Sequence, residues 1–538
     1  MSNLIKMHLK NLFKAPFYIV SISIIIICFG AFNAILMAKG VRFINYIARF
    51  DVFSYLEVVI FLILFCMATF FARQKTVLES MCFYTNEQIV LSRMLAGVLS
   101  SLVICVIPIL YGIICAIQEN TDIIFTFTAI IYMVSRWLMI IMVAQCLGYL
   151  ICCIFKTPAV FLLSIPVAIL FSHFNIYFFS FFLHSKNYRQ KISNYFSVQK
   201  PFVDAMDIDY TGARLDLWFL TKLLCTVFFV ALGISIMVAF YNKRKRILLI
   251  LLAIFMFVGW AGLTYLWSWL YPEKYNGEEK LYILDYENQN YFISSYAGRI
   301  SLNEWSKFDI DINLSKTGKD YVNELELRLD ECFIIKKLSC NDQDVDYKRI
   351  GDYIAITLPK DTSSDDVKLH IEYDGRIYYV SDISSINIFS TWLAAALPPN
   401  FAFIPLINGD DHEKLYSLEV TGNNNVISNL DINRITPGHY ELKGKSSSCC
   451  IFMGYFNQNK IGETTFYTAK YNQITDFEEV FNQALELRHI DPARYELSEE
   501  EYKKPNKVFM IYYLYDVLGF PVVFDDYMMI NYGYTSTV

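Results

Sequence analysis

KRKRILLILLAIFMFVGWAGLTYLWSWL, residues 243–270, is the last stretch of this chain with the composition of a membrane crossing, and the polar YPEKYNGEEKLYILDYENQNY of residues 271–291 follows it at once. A helix rises about 1.5 Å per residue and the hydrocarbon of a bilayer is about 30 Å thick, so a crossing takes roughly twenty apolar residues. Seven such stretches occur, at residues 15–37, 52–71, 94–117, 123–155, 159–183, 217–241 and 247–270, and none in residues 272–538. The chain therefore reads as a membrane-embedded half followed by a water-soluble half. Without water inside lipid, each crossing segment must close its own backbone hydrogen bonds, which makes it a helix.

The 538 residues, 55% of them apolar, average two unlike regions. A net charge of −6 and a pI near 5.8 give no sign of nucleic-acid binding. Lysines precede residues 15–37 as they would in a signal peptide. That run is too long for a removed apolar core and lacks a small-x-small exit, so it reads as a retained span. Residues 123–155 are too long for one straight crossing. Arg136 divides them, with the span proper expected at residues 137–155 and residues 123–135 as a tilted extension or a short interfacial helix.

Basic residues set the expected orientation. Lys6, Lys10 and Lys14 precede the first span, Arg73 and Lys75 follow the second, Lys156 follows the fourth, and Lys243, Arg244, Lys245 and Arg246 separate the last two. If the spans alternate, these fall on one side, which should be the cytoplasm. Lys39, Arg42 and Arg49 and the loop of residues 186–214 weaken the bias. Seven crossings that start inside deliver residue 271 to the outside, so the expectation is a multi-pass protein of the cell membrane with a cytoplasmic N-terminus and an extracytoplasmic C-terminal half.

Charged groups within the apolar stretches are few: Glu57, Arg136 and Lys222, with His173 titratable besides. Each costs about 2.5–3.5 kcal/mol or more at mid-membrane, so such groups face protein or water or reach toward an interface. Glu57 paired with Arg136 or Lys222 is a candidate outer gate or clamp. The bland alternative is each side chain snorkelling by itself. The aromatic clusters of residues 171–182 and 260–271 read as an interfacial belt, and residues 185–216 as a loop with a short interfacial helix.

The longest inner loop, ARQKTVLESMCFYTNEQIVLSR at residues 72–93, is amphipathic. Thr85 and Gln88 have the spacing of an N-cap and its reciprocal partner, and two short helices broken at residues 83–85 are expected. With KTVLES at residues 75–80 and TNEQIVLSRMLAGVL at residues 85–99, after a basic N-terminus and a first hairpin, residues 1–241 resemble the permease subunits of ABC-2 type ABC transporters. That family carries a Pro-Ser-like turn in the loop where this chain has Tyr84 and Thr85. The resemblance implies a cytoplasmic ABC ATPase subunit that presses on Lys75, Glu79, Thr85, Asn86, Glu87 and Arg93, and a second permease subunit, identical or not. It also implies that ATP and magnesium are held by the partner, with no cofactor in this chain. The one near match to a phosphate loop, GHYELKGKS at residues 438–446, has its first glycine one position too far from Gly444, Lys445 and Ser446, and reads as a strand and turn.

The soluble half alternates apolar and polar residues at FDIDINL (308–314), LELRL (325–329), YIAITL (353–358) and VKLHIEY (367–373), the period of strands with one buried face. Further strands are expected at residues 415–420, 439–442, 450–455, 507–515 and 521–530, with a helix at residues 475–488. The pattern predicts an antiparallel β-sandwich with an α/β tail. The succession VNELELRLDECFIIKKLSCN, GDYIAITLP, VKLHIEYDGRI, PLINGDDHEKLYSLEV and CCIFMGYF resembles the N-terminal β-domain of M1-family metallo-aminopeptidases over about residues 305–456. A zinc peptidase needs H-E-x-x-H on a helix, and no two of the seven histidines share that spacing. No peptidase activity is expected. His370, His412 and His439 remain a conceivable metal trio, with ordinary strand histidines the simpler reading. Cys332, Cys340, Cys449 and Cys450 lie in this half, and their pairing cannot be read from spacing. Adjacent Cys449 and Cys450 point to opposite faces of a strand, so at most one is expected in the core.

The resulting division is an ABC-2-like membrane domain at residues 1–241, a basic loop and seventh helix at 242–271, an extracytoplasmic β-sandwich at 272–460, and at 461–538 an α/β tail, a truncated remnant of a peptidase-like catalytic domain. The expected function is export of hydrophobic or amphipathic cargo, with antimicrobial peptides as the first guess. A membrane receptor with a ligand-binding outer domain is the rival, and an anchored peptidase comes third.

Overall fold

The computed structural model describes residues 2–38, 50–73, 84–155, 158–182 (except 173), 192, 193, 196, 212, 215–270 (except 243), 273, 274, 291–316, 324–359, 366–380, 387–470 (except 400 and 411), 505–511, 522, 523 and 527–530. Contacts divide the chain into one unit of Met1–Ala205 with Ala213–Tyr271 and another of Met206–Gly212 with Pro272–Val538.

The first unit is helical. It contains α1 (Ser2–Leu12), α2 (Pro16–Ala38), α3 (Phe50–Arg73), α4 (Asn86–Ser101), α5 (Val103–Gln118), α6 (Ile123–Ile154), a 3-10 turn at Pro158–Phe161, α7 (Ser164–Phe171), α8 (Asn175–Ser180), α9 (Leu217–Tyr241) and α10 (Arg246–Trp269). Among the described residues six helical runs are long and apolar enough to cross a membrane: α2, α3, α4 continued by α5, α6, α9 and α10. Leu102 joins α4 to α5, and its N–H still reaches Val98 O at 3.1 Å, so the two continue as one run.

Arg136 does not interrupt the fourth stretch: α6 runs unbroken for 32 residues, and the guanidinium finds a carboxylate partner beside the helix. Residues 123–135 thus extend the helix, one of the two forms expected, and do not form a short separate one. The single span expected at residues 159–183 is replaced by the 3-10 turn, α7 and α8. Pro166 has no N–H to offer a preceding turn and sits in the first turn of α7, where none is needed, so it favours a helix that begins here, although Pro108 inside α5 shows that a proline alone does not end one. Ser172, extended at ψ 171°, ends α7. Irregular backbone at membrane depth survives only where its polar groups find partners. Buried Asn175 provides them, donating to Leu170 O at 2.8 Å and Ser193 O at 3.1 Å.

Helix directions follow from the contacts. Glu57 meets Arg136 toward the starts of α3 and α6, and Cys152 Sγ donates to Thr69 O at 3.4 Å toward their ends, so the two run parallel. Gly148 permits this approach, since a Cβ there would lie 2.5 Å from the Ala68 Cβ. Along α6 and α9, Tyr132 packs on Phe219, Thr226 Oγ1 donates to Met139 Sδ at 3.4 Å, and Cys153 Sγ lies 3.5 Å from Tyr241 OH. They too are parallel. The chain must therefore travel back about 32 Å between α6 and α9, the length of the 21 residues from Tyr132 to Cys153. Phe171 of α7, 5.4 Å from Phe229 at the midpoint of α9, marks the middle of that return.

The second unit is sheet-rich. Its largest sheet has eight strands, β1 (Tyr291–Ser301), β2 (Ser306–Lys316), β3 (Phe333–Cys340), β4 (Gln343–Asp344), β5 (Asp366–Gly375), β6 (Lys414–Thr421), β7 (Asp431–Thr436) and β8 (His439–Ser446), in the order β7-β8-β6-β1-β2-β5-β3-β4. Pairing is antiparallel except where β6 joins β1. Phe308, Ile310, Ile312 and Leu314 of β2 and Val367, Leu369, Ile371 and Tyr373 of β5 are buried on one face, as their alternation predicts. Gly298 lets β1 pass β2, because its φ of 152° would bring a Cβ to 2.1 Å from Asp309 O.

A six-stranded sheet that includes Ala395–Leu397 and Ile451–Gly454 forms the next layer, and its two faces enter two different cores. Cys449, Ile451 and Met453 pack with the large sheet, whereas Cys450 and Phe452 pack with Phe509, Tyr527 and Met529 of a five-stranded sheet. Both cysteines are therefore core. The expectation of one fails because this strand has no wet face. The five-stranded sheet opens at the hairpin Phe456–Ile461 and Thr464–Ala469, so a boundary at 460/461 falls inside that hairpin. Parallel strands Thr464–Ala469, Lys507–Met510 and Tyr527–Ile530 follow. The helix expected at residues 475–488 lies outside the described residues.

Candidate functional site

In the helical unit the chemistry begins with Glu57 and Arg136, 0% and 4% exposed. Arg136 Nη2 donates to Glu57 Oε2 at 2.7 Å while Nε faces Oε1, so the two charges meet in a forked arrangement where water does not reach. Of the two partners the sequence offered Glu57, the structure chooses Arg136. Trp137, next in α6, packs on Phe29 of α2 at 5.0 Å and helps to hold the helix there.

Lys222 lies at the same level of α9, between the Phe219 and Thr226 contacts that bracket Arg136. Its ammonium sits 4.2 Å from the centroid of Trp267, which stacks on Trp218 at 5.1 Å. A ring face attracts a desolvated cation, and the buried pair of indoles provides that surface. Asp216 caps α9 by accepting from Phe219 N at 2.8 Å. No signal in the sequence links Trp267 to Lys222, which are 45 positions apart.

The opposite end of the unit gathers the candidate coupling residues. Thr85 and Gln88 form the expected reciprocal cap at the start of α4, and Asn86 and Glu87 occupy its first turn. Arg93 is buried one turn further on and donates to Phe71 O and Ala72 O at 3.2 and 3.3 Å, so it fastens the end of α3 to α4. Lys75 and Glu79 lie outside the described residues. Of the two short loop helices expected, only the one beginning at Asn86 falls among the described residues, and it continues directly into the crossing run. Helix α1 packs against α4 through Leu4, His8 and Leu12, leaving Lys6 and Lys10 exposed. Leu4, His8 and Leu12 recur at every fourth position of residues 2–12, the spacing of one helix face, and this is the signal by which α1 is legible. Phe17 meets Phe70, Arg73 lies over Phe161 at 5.8 Å, and Cys153 meets Tyr241. Lys14, Arg73 and the Arg244–Arg246 segment thus share one level with the start of α4.

In the β unit the three histidines stand apart. His370, on the open face of the large sheet, bonds Asp311 at 2.9 Å and Glu372 at 3.2 Å. Burial pulls its pKa down, but those bonds and the charges of Asp309 and Asp311 outweigh it, and the net shift is upward. His412 stacks on Phe292 at 4.6 Å and bonds Asp410, and His439 opens β8 after the turn at Gly438, paired with Thr421. Among the described residues no group of three or more metal-binding side chains is arranged to hold a metal ion. Residues 439–446 form a strand, as expected for the mis-spaced phosphate-loop match. No disulfide joins Cys332, Cys340, Cys449 or Cys450 among the described residues.

No family model and no curated protein matches the sequence. Among solved structures, native leukotriene A4 hydrolase from Saccharomyces cerevisiae aligns at 11% identity and a TM-score of 0.31, over 47% of this chain and 44% of that one. An M1 zinc metallopeptidase from Deinococcus radiodurans aligns at 10% identity and a TM-score of 0.33, over 46% and 61%. The chain spans less than two thirds of either neighbour. The β-rich region thus resembles M1 peptidases distantly.

Proposed function

We propose that this chain is the permease subunit of an ABC-2-like exporter, moving hydrophobic or amphipathic cargo with ATP hydrolysed by a separate cytoplasmic subunit. The observation that carries the reading is the assembly at one end of the helical unit: the capped start of α4, the Arg93 clasp, amphipathic α1 and the basic termini of the long helices. A motor that pushed on Thr85, Asn86 or Glu87 would move α3 with α4 through Arg93, and that force would reach the Glu57–Arg136 pair at the far end of α3. The parallel run of α3, α6 and α9 supports seven crossings, with the broken α7–α8 segment as the fifth. The basic level is then cytoplasmic, and the β unit lies on the other side of the membrane, where it would meet cargo. Affinity purification of the full chain from its native membrane in mild detergent, after cross-linking, tests this. An ABC ATPase is expected in the eluate in about equal amount, released by Asn86→Lys together with Glu87→Lys; its absence from wild-type eluates would sink the proposal.

A further inference from the structure

A groove of about 400 Å³ runs between α9 and α10, walled by Leu232, Ile236 and Phe240 on one side and Ile250 and Phe257 on the other, with Arg246 at its mouth. Ala239 and Ala253 leave the hollow, since neither side chain fills the space that its larger neighbours frame. From Arg246 to Phe257 the helix climbs about 16 Å, half of a hydrocarbon layer about 30 Å thick, so the groove is as deep as one leaflet. Its mouth is cationic: Arg244, Lys245 and Arg246 are exposed, and Lys243 precedes them in the sequence. No side chain caps the N-terminus of α10 there, and the bond from Lys245 N to Asn242 Oδ1 at 3.0 Å fixes the turn.

We propose that this groove is a binding site for an anionic phospholipid, with one acyl chain along Ile250, Ala253 and Phe257 and the phosphate at Arg246 and Arg244. Length, apolar walls and a cationic mouth are the three requirements of such a ligand, and the groove meets each. A second copy of this chain docked symmetrically would bring a second cluster of cations to the same level, so charge favours the lipid. The inference needs only that α9 and α10 lie in a bilayer, and holds for whichever leaflet meets Arg246.

Full-length protein exchanged into mixed micelles of phosphatidylglycerol and phosphatidylcholine, then read by native mass spectrometry, tests it. Phosphatidylglycerol is expected to remain bound in preference to phosphatidylcholine. Arg244→Gln with Arg246→Gln should lower its retention by about fivefold per charge removed. Ala253→Phe, which fills the hollow and keeps the charges, should lower it too, and Arg246→Lys should keep most of it. Equal retention of the two lipids, or no loss in the double charge variant and in Ala253→Phe, overturns the proposal. So does a disulfide between two copies carrying Ile250→Cys, formed in bilayers with no lipid retained, because a second copy would then fill the groove.

Discussion

Glu57 and Arg136 meet where no solvent reaches, whereas Arg299 and Glu419 meet at 3.4 Å on an open strand face, 75% and 48% exposed. The contrast extends to the units around them. In the helical unit the surface is apolar, with Ile247, Leu248, Phe255 and Val258 all exposed, and a charge within a long helix marks the inside. In the β unit the alternating strands turn Asp309, Asp311, Glu372 and Lys368 outward, so on those strands a charge marks the outside, whereas the buried charges Asp410 and Lys414 lie together at the start of β6, 3.7 Å apart. The same residue type thus carries opposite structural information on a long apolar helix and on a half-wet strand, and the solvent decides which.

The sharpest way to break that comparison is to remove one charge from each pair. Glu57→Gln or Arg136→Gln leaves a buried charge uncompensated and should cost about 3–5 kcal/mol of stability, whereas the double replacement by leucines should recover most of it. Arg299→Gln should cost less than about 1 kcal/mol. Thermal unfolding of the full-length protein in detergent measures all four. If the single variants at Glu57 and Arg136 matched Arg299→Gln, the pair would be solvated and the contrast void.

What the sequence disclosed follows the same division. The strands within residues 308–314, 325–329, 353–358 and 367–373 were legible because water wets one of their faces and imposes a period of two. Ala395–Leu397 and Ile451–Gly454 are buried on both faces, so no period remains and their two cores could not be foreseen. The long helices were legible from length and composition alone. The break in the fifth stretch was not, because its apolar count is the same broken or whole, and only Pro166, Ser172 and Asn175 signalled it. At the candidate site, the Thr85–Gln88 cap could be read because it is local. The choice of Arg136 over Lys222 could not, since it depends on which helices are neighbours.

Thr85 supplies a smaller test, because it is a polar residue of the helical unit at an exposed helix end, where the β-unit rule should apply. Thr85→Ala removes the acceptor for Gln88 N and should cost about 1 kcal/mol, far below the buried pair. Hydrogen exchange at the first turn of α4 should quicken about fivefold, with the rest of the helix unchanged. Exchange that quickened through the whole of α4 would show that the cap carries more than its own turn.

The smallest effect expected is at His370, where an exposed charge network is tuned by pH. Asp309, Asp311 and Glu372 face the imidazole from β2 and β5, and Lys368 binds Asp311 at 3.1 Å. The folded protein raises the His370 pKa and lowers that of Asp311, for which the bonds from His370 and Lys368 outweigh the opposing effect of burial. A raised histidine pKa means that folding favours the protonated ring. Its contribution is therefore complete below the unfolded value of about 6.5 and is lost as the pH rises through the higher folded value. The melting temperature of the full-length protein should exceed that of His370→Gln at pH 5.5–6, above the range where Asp311 itself takes up a proton, and the gap should close as the pH rises. A gap that widened with rising pH would mean that the neutral ring is the favoured form, and that the carboxylates around it are neutralised by lysines instead.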